Sequence, residues 1–289
     1  MYESFFGLTK KPFSIEPNPE FLYWGQAHRL AYAMLEYGIM GRVGFTVITG
    51  EIGSGKTTLI RHLLNGIEDD ITVGLVSHTR DNTEELLQWI MMALGQPFDG
   101  QSYVGLYQRL QDFLIDQHRR CQRTLLIVDE AQNLGPTTLE QLRMLSNMSV
   151  QNEQLLELVL VGQPKLKDLL QAPDLVQFSQ RVSSDFNIRP LSFEDVVGYI
   201  NHRLGVAGCH TPLFTADACR LIYEASGGIP RVINILCGIS LLYGFGSQTR
   251  EITAELVSSV IDDRRQFGVF SFDERPLDWQ AIRHSCEAG

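Results

Sequence analysis

Cysteine is scarce in this chain, and its spacing does not suggest a metal site. The five cysteines are widely separated: Cys121, Cys209, Cys219, Cys237 and Cys286. They form no C-x-x-C pair and no Cys/His cluster with zinc-binding spacing. Their odd number and their scatter also argue against a disulfide framework. We therefore expect reduced thiols, in the core or on the surface of a cytosolic protein.

A long apolar run is also missing from the sequence. The longest apolar stretch, residues 232–245, is shorter than the ~20 residues that a membrane-spanning helix needs, and it contains Asn234. It predicts a buried helix. The first residues, Met1-Tyr2-Glu3-Ser4, lack the basic and then apolar pattern of a signal peptide. We expect no transmembrane segment and a cytoplasmic location, with any contact at the inner membrane made through a partner.

Positive charge is in deficit. The chain carries 24 Lys and Arg residues against 34 Asp and Glu residues, for a formal net charge of −10. This balance argues against a surface built wholesale for nucleic acid, although it is compatible with a local basic patch. The apolar content of 44% is ordinary for a globular protein, and 289 residues suffice for one large domain or two modest ones.

The first part of the chain, to about residue 190, alternates between strand-like and helix-like segments. Apolar, β-branched runs predict five strands, at residues 44–49, 71–77, 124–128, 155–161 and 186–188. Amphipathic stretches predict helices at residues 58–64, 83–94, 103–118 and 138–148. Strands that alternate with helices predict an α/β fold, with a parallel five-stranded sheet covered on both faces in an αβα sandwich.

From Leu191 the pattern changes to helices alone. Ser192 can cap a helix, and three more helical stretches follow, at residues 216–225, 230–242 and 254–264. We therefore expect an αβα domain at residues 1–190 and a small all-helical domain at residues 191–265. For the tail, residues 266–289, a docking segment and a loosely ordered terminus both remain open.

A glycine-rich loop lies between the first predicted strand and the next helix. It fits the pattern G-x-x-x-x-G-K-[ST] at every fixed position, with the residues Gly50, Glu51, Ile52, Gly53, Ser54, Gly55, Lys56, Thr57 and Thr58. Its glycines let backbone N–H groups turn inward around a phosphate. Lys56 adds a positive charge for the β- and γ-phosphates, and the Thr57 hydroxyl can ligate Mg²⁺. Strand, loop and helix in this order predict a bound nucleoside triphosphate.

Two carboxylates follow the predicted strand at residues 124–128. Asp129 would hold Mg²⁺, and Glu130 would orient and polarise the water that attacks the γ-phosphate. An acidic pair after a strand often only caps the next helix. The complete phosphate-binding loop upstream favours the catalytic interpretation.

Three more polar residues are candidates for the same site. Gln163 follows a predicted strand and could touch the γ-phosphate or the attacking water, or simply be a turn residue. Arg181 could act as an arginine finger on a neighbouring subunit's nucleotide, with Arg189 as its rival and a plain surface role as the alternative. Arg231, on the helix that follows Gly227-Gly228, could cross back onto the nucleotide or be a solvent-exposed arginine near the helix start.

Taken together, these motifs resemble the AAA+ ATPases. The closest resemblance is to the ExeA/GspA type, the secretion ATPases of the general secretion pathway and their stand-alone relatives, and it covers about residues 1–265. Other segments match that type in the same order: Tyr2, Phe5-Phe6-Gly7-Leu8, Pro12-Phe13-Ser14, Asp129-Glu130-Ala131-Gln132-Asn133-Leu134, Leu145-Ser146-Asn147, Val161-Gly162-Gln163-Pro164 and Arg189-Pro190-Leu191-Ser192.

The resemblance implies both a fold and a reaction. It implies an AAA+ nucleotide-binding domain with a helical lid, ATP and Mg²⁺ as ligands, and a homo-oligomeric ring or filament with the site at a subunit interface. It also implies that the segment around Phe13 and Ile15 lies near the adenine, with Ile229 and Pro230 on the lid side, and that Arg231 couples the γ-phosphate to the lid.

The sequence departs from this type in two places. Longer members continue into a transmembrane helix and a periplasmic peptidoglycan-binding domain, and neither occurs in this sequence, so we expect a stand-alone form. Asp185 stands where many members have a second basic residue, which weakens the case for Arg181.

The expected function is an ATP-driven switch in the assembly of a secretion, pilus or polysaccharide-export system. We expect it to work with a protein partner, either free or membrane-associated. The alternative is an AAA+ regulator of DNA transposition or replication, but the chain has no obvious appended helix-turn-helix or basic tail. A scaffold that binds ATP without hydrolysing it is disfavoured by the presence of both Lys56 and Glu130.

Overall fold

The computed structural model describes residues 1–41, 44–67, 70–77 and 82–267, and these residues form two units. Of the described residues, the helical unit contains Met1–His28, Gly53–Thr58 and residues 189–267, and the sheet unit contains those within Arg29–Ile52 and Leu59–Ile188. This division differs from the predicted one, because residues 1–28 group with the helices rather than with the sheet. Residues 268–289, and with them most of the predicted tail, lie outside the described residues.

The sheet unit is built on a parallel five-stranded sheet in the order β2-β3-β6-β1-β7. The strands, with a separate two-stranded hairpin formed by β4 and β5, are β1 (Phe45–Gly50), β2 (Ile71–Val76), β3 (Arg123–Val128), β4 (Ser149–Val150), β5 (Glu153–Gln154), β6 (Glu157–Gly162) and β7 (Val182–Ile188). The parallel sheet confirms the predicted fold, and four of its strands match their predicted bounds within a residue or two. The fifth strand is longer than predicted and begins at Val182.

The helices described before residue 189 are α1 (Gln26–Met40), α2 (Lys56–Asn65), α3 (Thr83–Ala93), α4 (Tyr103–Arg119), α5 (Pro136–Ser146), α6 (Lys165–Leu170) and α7 (Val176–Ser179). The helices predicted after the glycine loop and at residues 83–94, 103–118 and 138–148 correspond to α2, α3, α4 and α5. Helix α1 was not predicted.

Both faces of the sheet are covered. Strands β1 and β6 are buried along their whole length, as expected for central strands of a parallel sheet. On one face, Leu106, Leu110 and Leu114 bury a single side of α4 in a core that also contains side chains of α3 and α5. On the other face, α1 approaches β1 closely: a Cβ on Gly38 would lie 2.0 Å from Thr46 Oγ1, so only glycine allows this contact.

The helical unit contains α8 (Phe193–Val206), α9 (Ala216–Ser226), α10 (Pro230–Gly246) and α11 (Ala254–Phe267). This confirms the predicted change to helices after residue 191. Ser192 caps α8 by accepting a hydrogen bond from Asp195 N at 3.1 Å. The apolar core of this unit includes Phe6 and Phe21 from the N-terminal segment, which explains why the first 28 residues belong to it.

A buried polar network fastens the N-terminal segment to α8 and α10. Arg203 donates to the carbonyl oxygens of Pro12 and Ser14 at 2.5 and 3.3 Å, and to the Tyr199 hydroxyl at 2.8 Å. Tyr199 in turn donates to Asn234 Oδ1 at 2.9 Å, and Asn234 Nδ2 donates to Ser14 O at 3.2 Å. Each of these polar groups therefore has a partner in the core, as buried polar groups require.

Two further features are the apolar helix α10 and the cysteine side chains. No helix among the described residues is long and apolar enough to cross a membrane, and residues 232–245 lie in the largely buried helix α10. Cys121, Cys209, Cys219 and Cys237 are free thiols. Burial raises the pKa of the Cys219 thiol to about 11, so that side chain is a protonated core residue at neutral pH. Cys286 lies outside the described residues.

Candidate nucleotide-binding and hydrolysis site

The carboxyl ends of three neighbouring strands bring Asp129, Glu130, Gln163 and the start of the glycine loop to one edge of the sheet. Strand β6 lies between β1 and β3, and all three run parallel. The glycine loop leaves β1 at Gly50, Asp129 follows β3, and Gln163 follows β6. Ligands of open parallel sheets bind outside this edge. The sheet therefore brings together residues that follow three different strands in the sequence.

Asp129 and Glu130 form a fixed turn at the end of β3. Asp129 is only 8% exposed, its N–H donates to Val76 O at 2.9 Å, and its Oδ1 accepts from Glu130 N at 2.9 Å. Glu130 has φ 53° and ψ 36°, in the left-handed region. For a non-glycine residue this conformation costs about 1–2 kcal/mol. Backbone strain of this size is frequent in active sites, where it directs a side chain.

The carboxylate of Glu130 is held by two amides. Gln132 Nε2 donates to Glu130 Oε2 at 2.5 Å, and Gln163 Nε2 lies 3.5 Å from the same oxygen. Gln132 Oε1 accepts from the backbone N–H of Gln163 at 2.9 Å. The structure thus places the predicted base and the predicted γ-phosphate contact side by side. Their catalytic roles stay predictions. Gln132, which links them, was not predicted as a site residue.

The part of the glycine loop that belongs to the helical unit has the conformation expected of a phosphate cradle. Gly53 and Gly55 have φ of 81° and 98°, which favour glycine. Helix α2 begins at Lys56, whose side chain is 6% exposed. The Ser54 hydroxyl is buried and has no hydrogen-bond partner among the described residues. Backbone turned in this way at a helix N-terminus fits the phosphates of a nucleotide.

The buried ring of His28 contacts the backbone of this loop. Its ring is 4% exposed, and Nε2 lies 2.9 Å from Ser54 O. A carbonyl oxygen can only accept a hydrogen bond, so Nε2 carries the hydrogen and Nδ1 is unprotonated in the neutral ring. Burial lowers the pKa of His28, although the hydrogen bond to Ser54 and the charge of Asp195 oppose this. A Cβ on Gly55 would lie 3.0 Å from Nε2, so the loop and the ring are closely packed.

Arg231 touches the same loop through its backbone. Its N–H donates to Gly53 O at 3.2 Å, and a Cβ added to Gly53 would lie 2.5 Å from the Arg231 Cβ. Helix α10 begins one residue earlier, at Pro230, with Ile229 as its N-cap. The start of α10 is therefore packed on the glycine loop, as the predicted role of Arg231 requires. What its guanidinium contacts when a nucleotide is bound stays a prediction.

The four residues expected around the adenine have different environments. Phe13 lies in the apolar core of the helical unit, with its ring edge-on to Phe214 at 5.9 Å between centroids. Ile15 is 57% exposed. Ile229 is half-buried, and Pro230 is buried at the start of α10. Core packing alone accounts for Phe13, and the adenine pocket as a whole stays a prediction.

Arg181 lies at the opposite edge of the sheet from Gly50. In the register of β1 and β7, Phe45 pairs with Val182 and Gly50 pairs with Ile188. Arg181 precedes Val182, so it lies about 20 Å along the strands from the start of the glycine loop. Its Nη1 donates to Asn147 Oδ1. Arg181 is therefore far from the start of the glycine loop of its own chain, and its role as an arginine finger stays a prediction. Its rival Arg189 follows β7 directly and is exposed.

Comparison with known proteins gives this site a family. A family described as "AAA domain" matches residues 40–170. General secretion pathway protein A of Aeromonas hydrophila is 39% identical over 253 residues, which are 87% of this chain. The chain belongs to the AAA ATPases of the general secretion pathway protein A type. It spans 46% of the length of that relative. This AAA ATPase thus matches the family that its motifs resemble.

Solved structures support the same fold. The ORC1 protein of Aeropyrum pernix in complex with DNA has a TM-score of 0.63 at 17% identity, covering 89% of this chain and 70% of its own. Cdc6p of Pyrobaculum aerophilum has a TM-score of 0.63 at 17% identity, covering 86% and 68%. The RuvB Holliday junction branch migration motor of Thermotoga maritima has a TM-score of 0.52 at 16% identity, covering 82% and 69%. At such identities the similarity concerns the fold alone.

Proposed function

We propose that this AAA ATPase binds ATP with Mg²⁺ and hydrolyses it to ADP and phosphate. The observation that carries the proposal is the Glu130 carboxylate, held by Gln132 at the sheet edge where the glycine loop leaves β1. An oriented carboxylate at this position can accept a proton from the attacking water. The family, whose members are ATPases, supports the same reaction.

Each part of the site has a separate task in this proposal. The backbone N–H groups of residues 50–58 and the Lys56 ammonium bind the phosphates. Thr57 and Asp129 supply the oxygen ligands that Mg²⁺ prefers, and the bound ion neutralises phosphate charge. Glu130 orients the water and takes its proton, and the Gln163 amide contacts the γ-phosphate. The cradle conformation of Gly53 and Gly55 and the two carboxylates after β3 fit these ligands.

We further propose that the bound nucleotide is sensed in two places beyond the loop. Arg231 would contact the γ-phosphate of the nucleotide and so couple its presence to the helical unit. The hydrogen bond from Arg231 N to Gly53 O supports this coupling. Arg181 would report it to a neighbouring subunit of a homo-oligomeric ring or filament. Its position at the opposite sheet edge from Gly50 supports a role in trans rather than in its own site.

The proposed cellular role is a switch in the assembly of a cell-envelope secretion, pilus or polysaccharide-export system, working on the cytoplasmic side with a protein partner. The printed name of the relative, general secretion pathway protein A, supports this role. The alternative is a regulator of DNA transposition or replication. The chain shares only its fold with the ORC1 and RuvB structures. Its net charge of −10 does not favour binding to nucleic acid.

Turnover of ATP tests the reaction. Glu130→Gln keeps the size of the side chain and removes its basicity, so we expect turnover to fall by about 100-fold or more while ATP still binds. Lys56→Ala should weaken ATP binding itself. The control is Glu140→Gln, which removes only a carboxylate paired with Arg143 on α5. Equal turnover by wild type and Glu130→Gln would show that the base is assigned wrongly.

Mixing experiments test the interface. Arg181→Ala should lower turnover without weakening ATP binding. Mixing that variant with Lys56→Ala subunits should restore part of the activity, because intact Arg181 residues on the Lys56→Ala subunits would then face intact loops. If no mixing ratio restores or inhibits turnover, Arg181 does not act in trans.

Binding to DNA separates the two cellular roles. Filter binding with ATP, measured over a range of salt concentrations, should show only weak retention of DNA under the envelope proposal. Tight, ATP-dependent binding that falls steeply with salt would favour the nucleic-acid alternative instead. In parallel, the Glu130→Gln variant loaded with ATP should retain an envelope-assembly protein in pull-downs; retention of a transposase or replication factor would count against the envelope role.

A further inference from the structure

The side-chain amide of Gln132 is engaged at both of its ends. Its Nε2 donates to Glu130 Oε2 at 2.5 Å, and its Oε1 accepts from the backbone N–H of Gln163 at 2.9 Å. Gln132 lies in the short 3-10 turn Ala131–Asn133 that follows the strained Glu130. The side chain therefore bridges the turn after β3 to the end of β6.

Gly162 leaves the space that this bridge needs. A Cβ at position 162 would lie 2.7 Å from Gln132 Oε1, closer than real Cβ contacts come. Gly162 is not among the residues of positive φ, so its backbone alone does not call for glycine. The last residue of β6 is thus small where the amide of Gln132 approaches it. The bridge therefore depends on residues at the ends of both β3 and β6.

The two amides near Glu130 differ in how firmly they hold it. The contact from Gln132 is short, as hydrogen bonds to a charged carboxylate are. The contact from the Gln163 side chain, at 3.5 Å, is at the outer limit of a hydrogen bond. Gln132 therefore fixes the carboxylate, whereas the Gln163 side chain can turn to another oxygen at little cost.

We propose that Gln132 is a positioning residue that aims the Glu130 carboxylate at the attacking water and ties it to the end of β6. The inference rests on the proposed function and deepens it. When the Gln163 side chain turns to the γ-phosphate, Gln132 keeps its place, because its anchor is the backbone of residue 163 and not the side chain. In the reaction, water bonds to the γ-phosphorus, the bond from that phosphorus to the bridging oxygen breaks, and Glu130 accepts the proton. Gln132 neither gains nor loses one.

The variant Gln132→Met in the full chain tests this role, because methionine keeps the length of the side chain and removes both hydrogen bonds. We expect kcat to fall about 10- to 100-fold, as misdirection of a catalytic group does. The affinity for a fluorescent ATP analogue should remain that of the wild type, and the melting temperature should fall by only about 2–6 °C, because the part-buried N–H of Gln163 loses its acceptor. In the Glu130→Gln background, Gln132→Met should lower the residual turnover no further. Asn133→Ala, an exposed neighbour in the same turn, is the matched control and should leave all three quantities unchanged.

The outcomes separate this inference from the proposed function. Wild-type turnover in Gln132→Met, alongside a dead Glu130→Gln variant, overturns the inference alone. So does a fall in turnover that is matched by weaker ATP binding, because Gln132 would then shape the binding site as a whole rather than position Glu130. A further loss in the Glu130→Gln background has the same consequence. Equal turnover by wild type and Glu130→Gln overturns the proposed function, and the inference with it.

Discussion

The contact between Gly53 and the start of α10 leads to a sharp prediction for Gly53→Ala. Two costs are expected. Alanine at φ 81° is strained by about 1–2 kcal/mol. In addition, the new methyl group would lie 2.5 Å from the Arg231 Cβ, which forces the loop and the helix apart by roughly 1 Å. Overpacking of this kind costs about 1–3 kcal/mol. We expect a total loss of about 2–5 kcal/mol of unfolding free energy, together with weaker ATP binding.

Gly100→Ala is the matched control for this variant. Gly100 has φ 68°, but a Cβ added there has no atom within 4 Å, so only the backbone cost of about 1–2 kcal/mol applies. Thermal unfolding and titration with a fluorescent ATP analogue would compare the two variants, at about 2 °C of melting temperature per kcal/mol for a chain of this size. If both variants lose the same stability and both bind ATP normally, the packing of α10 on the loop does not exist in solution and the reasoning fails.

Two more predictions concern buried polar groups of the helical unit. Arg203→Met should lower the free energy of unfolding by about 2–4 kcal/mol, because it leaves Pro12 O buried without its donor and removes the donor of the Tyr199 hydroxyl and one of the two donors of Ser14 O. Denaturant unfolding would measure this loss, with Arg220→Met, which loses mainly a ring contact with Phe193, as the control. Equal losses in the two variants would argue against the network. His28 should make the free energy of unfolding depend on pH, because its pKa is lowered in the folded protein. As the pH falls, the unfolded chain therefore takes up the proton first. The contribution of His28 to stability is complete above about pH 6.5 and is lost as the pH drops below that value. His28→Gln should flatten that part of the profile, and parallel wild-type and variant profiles between pH 7.5 and 5.5 would contradict the assignment.

The sequence predicted most of the sheet because its central strands are continuous apolar runs. β7 was only partly predicted, since Ser183, Ser184 and Asp185 interrupt the apolar pattern. Among the described strands β7 pairs only with β1, as the outermost strand of the sheet, and Ser183 and Asp185 are exposed there. Ser184 is buried, and its hydroxyl donates to Met34 O at 3.0 Å. Helix α1 was not predicted, and its apolar residues do not form one clean stripe, because Leu30 and Tyr37 are exposed while Leu35 is fully buried.

For the site, sequence patterns found the residues that a motif names and not those that support them. The glycine loop and the Asp129-Glu130 pair have fixed local spacing, so they were visible without a structure. Gln132 owes its role to a partner at the end of a different strand, and His28 to a carbonyl of the glycine loop. Contacts between segments far apart in sequence leave no local pattern. Arg181 could be proposed from sequence, but only the strand register shows at which sheet edge it lies.

The way in which residues 1–28 pack into the helical unit has a consequence for cutting the chain. A fragment that begins at residue 189 would lack Phe6, Phe13 and Phe21, which fill its apolar core, and the two carbonyl groups that receive Arg203. We expect such a fragment to be poorly folded on its own. A synthetic peptide of residues 1–28 should restore its structure when added as a separate chain, much as two halves of a split protein reassemble, so the helical unit is continuous in space although it is not continuous in sequence.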